Sequence, residues 1–416
     1  MKRLVAVLLV LSLSVLAGYR VLTLWRGTRL SLKNPSREDL LQSIRWTPSN
    51  PNPYYGLGLY YQWNIERIDL QESLRSLEKA IERNPLSQRY WLDLARVLNR
   101  TGQGKASEQA LEKAVFLFPT GYTGRWTAGN LLLQQGALQK ALPHFAYLLA
   151  RYPEESNLVY EVLFRVTRDQ NFILEKVVPG DLPSLNRYLS YLYEIGDKET
   201  AVKAWDMKTS LGLQDDRKTV LRHVDFLIAR KAFAEAFQVW KARLREEGLP
   251  APSDRNLITN GGFEREDLLG GGFDWKMIPV PGASFFFDTS AAFEGKRSLK
   301  ITFDGKENID FQHLYQYVSW KPDRDYLLTA HMRTKEVTTK SGIKVEVLGT
   351  GRTGPALQVS SESLSGDNGW KELVIAFHTP ARSEGGVVRV RRERIDKFDR
   401  FLSGAVWLDD LQLVEK

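Results

Sequence analysis

The sequence predicts a multidomain α plus β protein with an N-terminal transmembrane helix, an α-solenoid of helical repeats and a C-terminal antiparallel β-sandwich. Three observations predict this fold class. An apolar run opens the chain, and Pro85, Pro119 and Pro153 recur every 34 residues (119−85 and 153−119). After Leu249 the helical periodicity gives way to short alternating strands. A chain of 416 residues is long enough for about two or three domains.

The composition excludes several kinds of chemistry. The chain has no cysteine, which rules out disulfides, thiolate metal sites and thiol catalysis. Its net charge of +8 comes from 58 basic and 50 acidic residues that are interspersed along the chain. A nucleic-acid-binding protein would cluster its basic residues on one face, and the run from Arg389 to Arg394 is explained by a solvated strand face. We therefore expect no nucleic-acid partner.

Residues 1–25 are predicted to be a membrane anchor. The apolar run from Leu4 to Trp25 is long enough to cross roughly 30 Å of hydrocarbon if the Arg20 side chain extends to the interface. The alternative is a cleaved signal peptide, with a small-residue cleavage site at residues 15–17. The length of the apolar run favours the uncleaved anchor. Residues 26–53 are predicted to be a linker, because the run before Tyr54 is rich in proline.

Residues 54–247 are predicted to form the helical repeats. The segments 77–80 and 111–114 are near-copies, and they stand at the same period of 34 residues as the three prolines. A period of this length is typical of stacked helix–turn–helix units, none of which buries its apolar face alone. The pattern is regular in three units, decays after Pro153, and resumes in two degenerate units that end near Glu247.

The array resembles the tetratricopeptide repeat family. Its three regular units share that family's aromatic, small and proline positions, at Tyr54, Leu57, Gly58, Tyr61, Ala80 and Pro85, then Trp91, Leu94, Ala95, Ala114 and Pro119, then Ala128, Gly129, Ala141, Phe145 and Pro153. The resemblance implies a superhelix whose concave face binds a protein partner. Candidate aromatic residues for that face are Tyr60, Tyr61, Trp63, Tyr90 and Trp91. We expect at least one of them to be exposed, and most to be packed between helices.

Residues 256–416 are predicted to form the β-sandwich, after a linker at 248–255. Short alternating strands follow one another there, separated by glycine and aspartate turns. The domain opens with Asn-Leu-Ile-Thr-Asn-Gly-Gly-Phe-Glu at 256–264 and closes with Trp-Leu-Asp-Asp-Leu-Gln-Leu at 407–413. In order and spacing, these motifs resemble the jelly-roll carbohydrate-binding modules of bacterial glycosidases. The resemblance implies that the domain contacts a glycan.

Aromatic rings that stack on sugars are the candidate glycan-binding residues which this resemblance implies. They are Trp275, Tyr315, Tyr317 and Trp320, with Phe285 and Trp407 as further rings. Trp275 follows the glycine-rich loop 270–274 and is the best candidate for an exposed ring. A packed structural tryptophan is the alternative at that position.

The same resemblance implies a structural calcium ion. Its acidic ligands fall on Glu264 and Asp409, with Asp410 beside them, and backbone carbonyls near Gly295 and Lys296 complete the site in the family. Hard oxygen ligands suit Ca²⁺. The alternative is that these carboxylates only accept hydrogen bonds within the loops. Both interpretations remain open at this point.

No catalytic constellation emerges from the sequence. The five histidines are scattered, and neither a nucleophile elbow nor a phosphate-binding loop is present. We therefore expect a non-catalytic adaptor in the bacterial inner membrane, with the bulk of the chain in the periplasm, or else exported after signal cleavage. Its repeats would bind a protein and its sandwich a glycan, during polysaccharide assembly or export. The alternatives are a scaffold that binds protein only and, least expected, a glycosidase.

Overall fold

The computed structural model describes residues 2–30, 35–66, 68–253, 255–351, 355–396 and 398–416. The chain divides into two compact units, Met1–Leu213 and Gln214–Lys416. The first unit is built of helices and the second contains both helices and strands.

The first unit contains twelve α-helices in the residues that the structure describes. They are α1 (Lys2–Leu30), α2 (Arg37–Trp46), α3 (Pro51–Trp63), α4 (Leu70–Arg83), α5 (Gln88–Arg100), α6 (Gly104–Leu117), α7 (Tyr122–Gln134), α8 (Leu138–Arg151), α9 (Ser156–Thr167), α10 (Gln170–Lys176), α11 (Leu182–Ile195) and α12 (Lys198–Ser210). A short 3₁₀ turn, Pro153–Glu155, precedes α9.

The repeat period corresponds to pairs of helices. Helices α4, α6 and α8 each end shortly before one of the three periodic prolines. Small residues permit close packing within a pair: a Cβ on Gly58 would stand 2.7 Å from the Leu77 side chain, and one on Gly129 would stand 2.8 Å from the Phe145 ring. The predicted helical solenoid is therefore confirmed, and the small positions of its pattern are sites where two helices approach each other.

Part of the predicted linker 26–53 is helical. Helix α2 begins with a capping box between Ser36 and Asp39, and Leu40 is buried in a cluster with Leu57 and Tyr61 of α3. The Ser43 hydroxyl also donates a 2.6 Å hydrogen bond to the carbonyl of residue 27 in α1. The expectation of a linker is therefore wrong for residues 37–46, because this segment has a capped start and a buried apolar side. Residues 31–34 of the predicted linker lie outside the described residues.

Helix α1 contains the segment Val7–Leu30, which is long and apolar enough to cross a membrane. A signal sequence near the N-terminus satisfies the same criterion. Length and composition therefore agree with the predicted anchor and with its alternative alike.

The second unit contains two helices and ten strands in the residues that the structure describes. They are α13 (Arg217–Ala229), α14 (Phe233–Glu246), β1 (Lys276–Met277), β2 (Ala283–Asp288), β3 (Ser298–Asp304), β4 (Leu314–Ser319), β5 (Asp325–Val337), β6 (Lys344–Thr350), β7 (Pro355–Ser360), β8 (Gly366–His378), β9 (Gly385–Arg391) and β10 (Ser403–Glu415).

The strands form two five-stranded sheets, with the orders β1-β4-β9-β6-β7 and β2-β3-β10-β5-β8. Every pairing between neighbouring strands is antiparallel. Side chains alternate along the strands, and one face of each sheet contributes to a common core that includes Leu299, Val318, Leu328, Val347 and Val388. The predicted antiparallel β-sandwich is therefore confirmed.

Helices α13 and α14 belong to the same compact unit as the sandwich. Trp240 of α14 is fully buried, and its ring approaches Gly272, where a Cβ would stand 2.7 Å from Cε3. Gly272 has a φ of +58°, and its N–H donates a 2.8 Å hydrogen bond to Asp225 of α13. The change of composition near residue 249 thus marks a change of secondary structure inside a unit that begins at Gln214.

Candidate functional site

The face of the β4-containing sheet that points away from the core brings two of the predicted aromatic residues together. Tyr315 and Tyr317 alternate on β4 with residues that enter the core, so their rings share this outer face. The two rings meet edge to face with centroids 5.7 Å apart. Tyr315 pairs in register with Arg389 of β9, which in turn pairs with Glu346 of β6.

Arg389 and Glu346 form an ion pair beside Tyr315. The guanidinium Nη2 lies 2.5 Å from Glu346 Oε2, and Glu346 is 1% exposed. Gln358 donates to the other carboxylate oxygen at 2.9 Å, and Arg389 also donates to Gln312 Oε1 at 2.6 Å. Because partners surround the carboxylate, its buried charge is compensated. The arrangement presents an aromatic ring beside planar amide and guanidinium groups, which are able to hydrogen-bond hydroxyl groups of a ligand.

Helix α14 lies over the Tyr317 part of this face. The ring centroid of Phe233 is 6.3 Å from that of Tyr317. Burial raises the pKa of the Tyr317 phenol, with further contributions from Tyr315 and Asp225. The open part of the face therefore centres on Tyr315 and Arg389.

Trp275 and Trp320 do not present exposed rings. Trp275 is 2% exposed, its ring centroid is 5.1 Å from that of Phe263, and its Nε1–H donates to the Asn260 carbonyl at 3.1 Å. Trp320 is also buried, and its Nε1–H donates to the Ser383 carbonyl at 3.0 Å. The expectation that they stack on a sugar is wrong, because both rings pack in the core and both N–H groups have partners. The alternative stated for Trp275, a structural tryptophan packed in the core, is therefore the one that the structure shows.

The two further rings are also engaged within the fold. Phe285 packs against the core beside Phe311. Trp407 is buried between Lys300 and Arg333, whose charged groups lie 4.9 and 5.2 Å from its ring centroid. Its Nε1–H donates to Asp288 at 2.8 Å. Trp407 is thus enclosed within the fold, and Phe285 is partly buried against the core.

Asp409 is held by backbone N–H groups. Its Oδ2 accepts from Phe293 at 2.8 Å and from Glu294 at 3.2 Å, and its Oδ1 accepts from Asp410 at 2.8 Å. Burial raises the pKa of the Asp409 carboxyl, although these hydrogen bonds oppose the effect. The carboxylate therefore holds the 293–294 loop against the closing strand.

Glu264 makes similar contacts three residues further along the same loop. Its Oε1 accepts from Lys296 at 2.7 Å and from Arg297 at 3.3 Å. Asp410 lies at a β-bulge with a φ of +47°, and its Oδ2 is 3.3 Å from His331 Nδ1 rather than beside Asp409.

These contacts do not fit a calcium site. Both Asp409 oxygens and the Oε1 of Glu264 already accept hydrogen bonds from N–H groups, and the third predicted carboxylate, Asp410, lies beside His331. Among the described residues, no group of three or more histidine, cysteine, aspartate or glutamate side chains is arranged to hold a metal ion. The backbone N–H donors around Asp409 and Glu264 support the alternative, in which these carboxylates accept hydrogen bonds within the loops.

Comparisons with known proteins match each part of the chain separately. The family model described as tetratricopeptide repeat matches residues 67–122 and 105–156. Among solved structures, the crystal structure of MamA is 20% identical, covers 29% of this chain and 68% of that chain, and gives a TM-score of 0.26. No curated protein matches this chain significantly.

Two carbohydrate-binding modules are also among the similar solved structures. A family 16 carbohydrate-binding module is 23% identical, covers 38% of this chain and 100% of that chain, and gives a TM-score of 0.27. A structure described as CBM4 is 12% identical, covers 38% and 99% of the two chains, and gives a TM-score of 0.28. The tetratricopeptide repeat model thus matches part of the helical array, and the β-sandwich is shown by the two antiparallel sheets of the chain itself.

Proposed function

We propose that this chain is a non-catalytic, membrane-tethered adaptor of the bacterial cell envelope. Its tetratricopeptide repeats bind a protein partner, and its β-sandwich contacts a glycan during polysaccharide assembly or export. The observation that carries the glycan assignment is the outer sheet face, where the Tyr315 ring lies beside the Arg389–Glu346 ion pair.

The geometry of that face supports a sugar ligand. A half-buried tyrosine ring offers an apolar surface, and Arg389, Gln312 and Gln358 offer hydrogen-bonding groups at its edge. Because Arg389 is already paired with a carboxylate, the local charge is close to balanced. This balance favours a neutral or weakly acidic glycan over a highly charged polymer.

The membrane assignment rests on α1 and on its connection to the repeats. The hydrogen bond from Ser43 to the carbonyl of residue 27 joins α2 to the end of α1, and α2 packs on α3 through Leu40. An anchor held in this way would keep the repeats close to the membrane surface.

Glycan binding is tested by affinity electrophoresis of the full chain in detergent, through gels that contain neutral or acidic polysaccharides. The proposal expects retardation by at least one polymer, and expects Tyr315→Ala to abolish it. Phe286→Ala is the matched control, because it removes an exposed ring (52% exposed) from the other sheet. Absence of retardation in every gel would contradict the glycan assignment. Release of new reducing ends from the retarding polymer would contradict the non-catalytic assignment.

Topology is tested by fusing a reporter that is active only in the periplasm after Lys416. The reporter is expected to be active. The periplasmic assignment would be contradicted if this reporter were inactive while a second reporter, active only in the cytoplasm and fused at the same position, were active. Immunoblotting of the same fusion distinguishes the anchor from a cleaved signal, because cleavage shortens the chain by the N-terminal segment.

A scaffold that binds protein only is the second candidate function. One observation favours it: Phe233 of α14 covers the Tyr317 part of the sheet face and leaves less open surface for a polymer. Under this function, the electrophoresis above shows no retardation while a protein partner still binds the repeats.

A further inference from the structure

Among the strands that the structure describes, four lie at sheet edges, namely β1, β7, β2 and β8. Three of them carry features that oppose pairing with a further strand. β1 contains two residues, and β7 begins with Pro355. β8 has two register shifts against β5 and carries Lys371 and Glu372. Short length, proline, bulges and charge are the usual means by which an edge strand avoids a neighbour.

β2 is an edge strand without this protection. Its six residues pair with β3 at six consecutive positions with no shift in register. The stretch from Ala283 to Phe287 contains neither a charged residue nor a proline. Phe285 and Phe287 pack against the core, whereas Phe286 alternates with them on the outer face and is 52% exposed. An edge of this kind is able to accept another strand.

The hydrogen bonds between β2 and β3 show which backbone groups face the open edge. Asp304 donates its N–H to the Gly282 carbonyl at 3.1 Å, while the residues that pair in register are Ala283 and Phe303. In an antiparallel ladder this pattern makes Ala283 and Phe303 a non-hydrogen-bonded pair, and the type of pair alternates along the strand. The odd-numbered residues of β2 therefore direct their N–H and C=O groups away from β3.

The open edge is complementary to itself. Ala283 already donates its N–H to the Val280 carbonyl at 3.3 Å, so Phe285 and Phe287 are the residues of β2 that present both backbone groups at this edge. A second β2 strand, related by a two-fold axis at Phe286, runs antiparallel and places Phe285 opposite Phe287 of the second copy. The two residues of each such pair exchange N–H···O=C bonds, which satisfies both groups of both residues.

The side chains of β2 are compatible with this register. Phe286 lies opposite Phe286 of the second copy in a non-hydrogen-bonded pair, in which cross-strand side chains are closest. Asp288 lies opposite Ser284 of the second copy, so the two aspartates do not face each other. Asp288 also has partners within its own chain, the Trp407 Nε1–H at 2.8 Å and Lys300 at 3.7 Å.

We propose that β2 is a docking edge for a second copy of this chain, and that two sandwiches join there into one continuous antiparallel sheet. The inference goes beyond the proposed function and does not depend on it. Tyr315 lies on the other sheet, so each copy keeps its own Tyr315 face in the dimer. Two such faces in one assembly would increase the overall affinity for a polymer of repeating units.

Cross-linking tests the contact directly. The chain has no cysteine, so a single introduced thiol is unique. Phe286→Cys places this thiol opposite its own counterpart, at a Cβ–Cβ distance of about 4.5 Å that a disulfide is able to span. With copper phenanthroline as the oxidant, the full chain in detergent is expected to give a covalent dimer on a non-reducing gel. Val374→Cys is the matched control, because Val374 is also 52% exposed and lies on β8 of the same sheet.

Charge substitution tests the register. Phe286→Glu places two carboxylates opposite each other and should weaken dimerisation about tenfold, while the fold tolerates it because Lys300 is the neighbour on β3. Phe286→Lys should weaken it similarly, and an equal mixture of the two variants should restore the dimer. Val374→Glu should leave dimerisation unchanged. Analytical ultracentrifugation of the full chain in detergent measures each case.

Three outcomes would overturn the inference. They are a full chain that stays monomeric at every concentration, equal cross-linking of Phe286→Cys and Val374→Cys, and a dimer that Phe286→Glu leaves intact. The last outcome would show that another part of the chain, such as α1, holds the two copies together. Phe286→Ala keeps the backbone hydrogen bonds and the uncharged edge, so it should remain dimeric and remain a valid control for glycan binding. The glycan assignment depends on Tyr315 and is tested separately.

Discussion

The ring of Phe233 in α14 lies directly on Gly385 at the start of β9. A Cβ on Gly385 would stand 2.4 Å from the Cδ1 atom of that ring and 2.5 Å from the Val318 carbonyl oxygen. Gly272 has the same relationship to Trp240 of the same helix. The last helical pair is therefore packed on bare backbone of the sandwich, which makes helices and strands one compact unit.

Replacement of Gly385 by alanine should destabilise the second unit. A methyl group has no space between the Phe233 ring and the Val318 carbonyl, so the helix or the strand must shift. Overpacking of this kind costs about 1–3 kcal/mol. Urea denaturation followed by circular dichroism measures the change. Gly369→Ala is the control, because nothing lies within 4 Å of its added Cβ. Equal destabilisation by the two variants would contradict the tight contact.

Removal of Arg389 should cost more than removal of its whole ion pair. Arg389→Met leaves the Glu346 carboxylate buried without its cation, a situation that typically costs about 3–5 kcal/mol. The double variant Arg389→Met, Glu346→Gln removes the charge as well and should recover much of that loss. A double-mutant cycle of unfolding free energies measures the coupling. Strictly additive effects would show that the two side chains do not depend on each other.

The pKa values of two histidines should be shifted in opposite directions from the ordinary value of 6.5. Burial, with a smaller effect of Arg125, lowers the pKa of His144 to about 4. Hydrogen bonds to Asp325 and Asp323, at 2.9 and 3.1 Å, raise the pKa of His378 above 6.5. Proton NMR of the imidazole Hε1 signals measures both midpoints. His144→Gln and His378→Gln assign the two signals, and coincident midpoints near 6.5 would contradict both environments.

The two shifts have opposite consequences for stability. His144 is held neutral in the folded state, so its contribution to stability is present above pH 6.5 and is lost as the pH falls from 6.5 towards 4. His378 is stabilised in its charged form, so its contribution is present below pH 6.5 and is lost as the pH rises through its folded pKa. Denaturation of the wild type and of each glutamine variant across this range should give stability differences of opposite slope.

A chelator should leave the melting temperature of the second unit unchanged. Asp409 Oδ2 accepts from the N–H groups of Phe293 and Glu294, and Glu264 Oε1 accepts from those of Lys296 and Arg297. Asp409→Ala, in contrast, should lower the unfolding free energy by about 1–3 kcal/mol, because the hydrogen bonds from Phe293 and Glu294 to this buried carboxylate are lost. Differential scanning calorimetry with EDTA and with added calcium measures both effects. A rise in melting temperature with calcium would contradict the hydrogen-bonded interpretation.

The helical array and the sandwich could be predicted from the sequence because their signals are periodic and local. Pro85, Pro119 and Pro153 mark helix ends at a constant spacing, and the small residues Gly58 and Gly129 stand where helices touch. Helix α2 was missed because it is short and its burial depends on Leu57 and Tyr61, which lie in a different helix. Its capping box at Ser36 and Asp39 was the local signal that could have revealed it.

The candidate glycan-binding residues were only partly predictable. Tyr315 and Tyr317, two of the candidate rings, lie on one strand face, whereas Trp275 and Trp320 are packed in the core. The contributions of Arg389 and Glu346 could not be predicted, because β9 and β6 are brought beside β4 by sheet register rather than by sequence distance.

The sequence by itself determined the order and class of the parts: an apolar N-terminal helix, repeats with a period of 34 residues, and a domain of alternating strands. These properties follow from hydrophobic periodicity, which acts over a few neighbouring residues. Only the tertiary structure decided which aromatic rings are exposed. It also decided that Asp409 and Glu264 accept hydrogen bonds from backbone N–H groups, and that α14 packs on Gly385. Each of these depends on contacts between segments far apart in the chain, which local patterns do not encode.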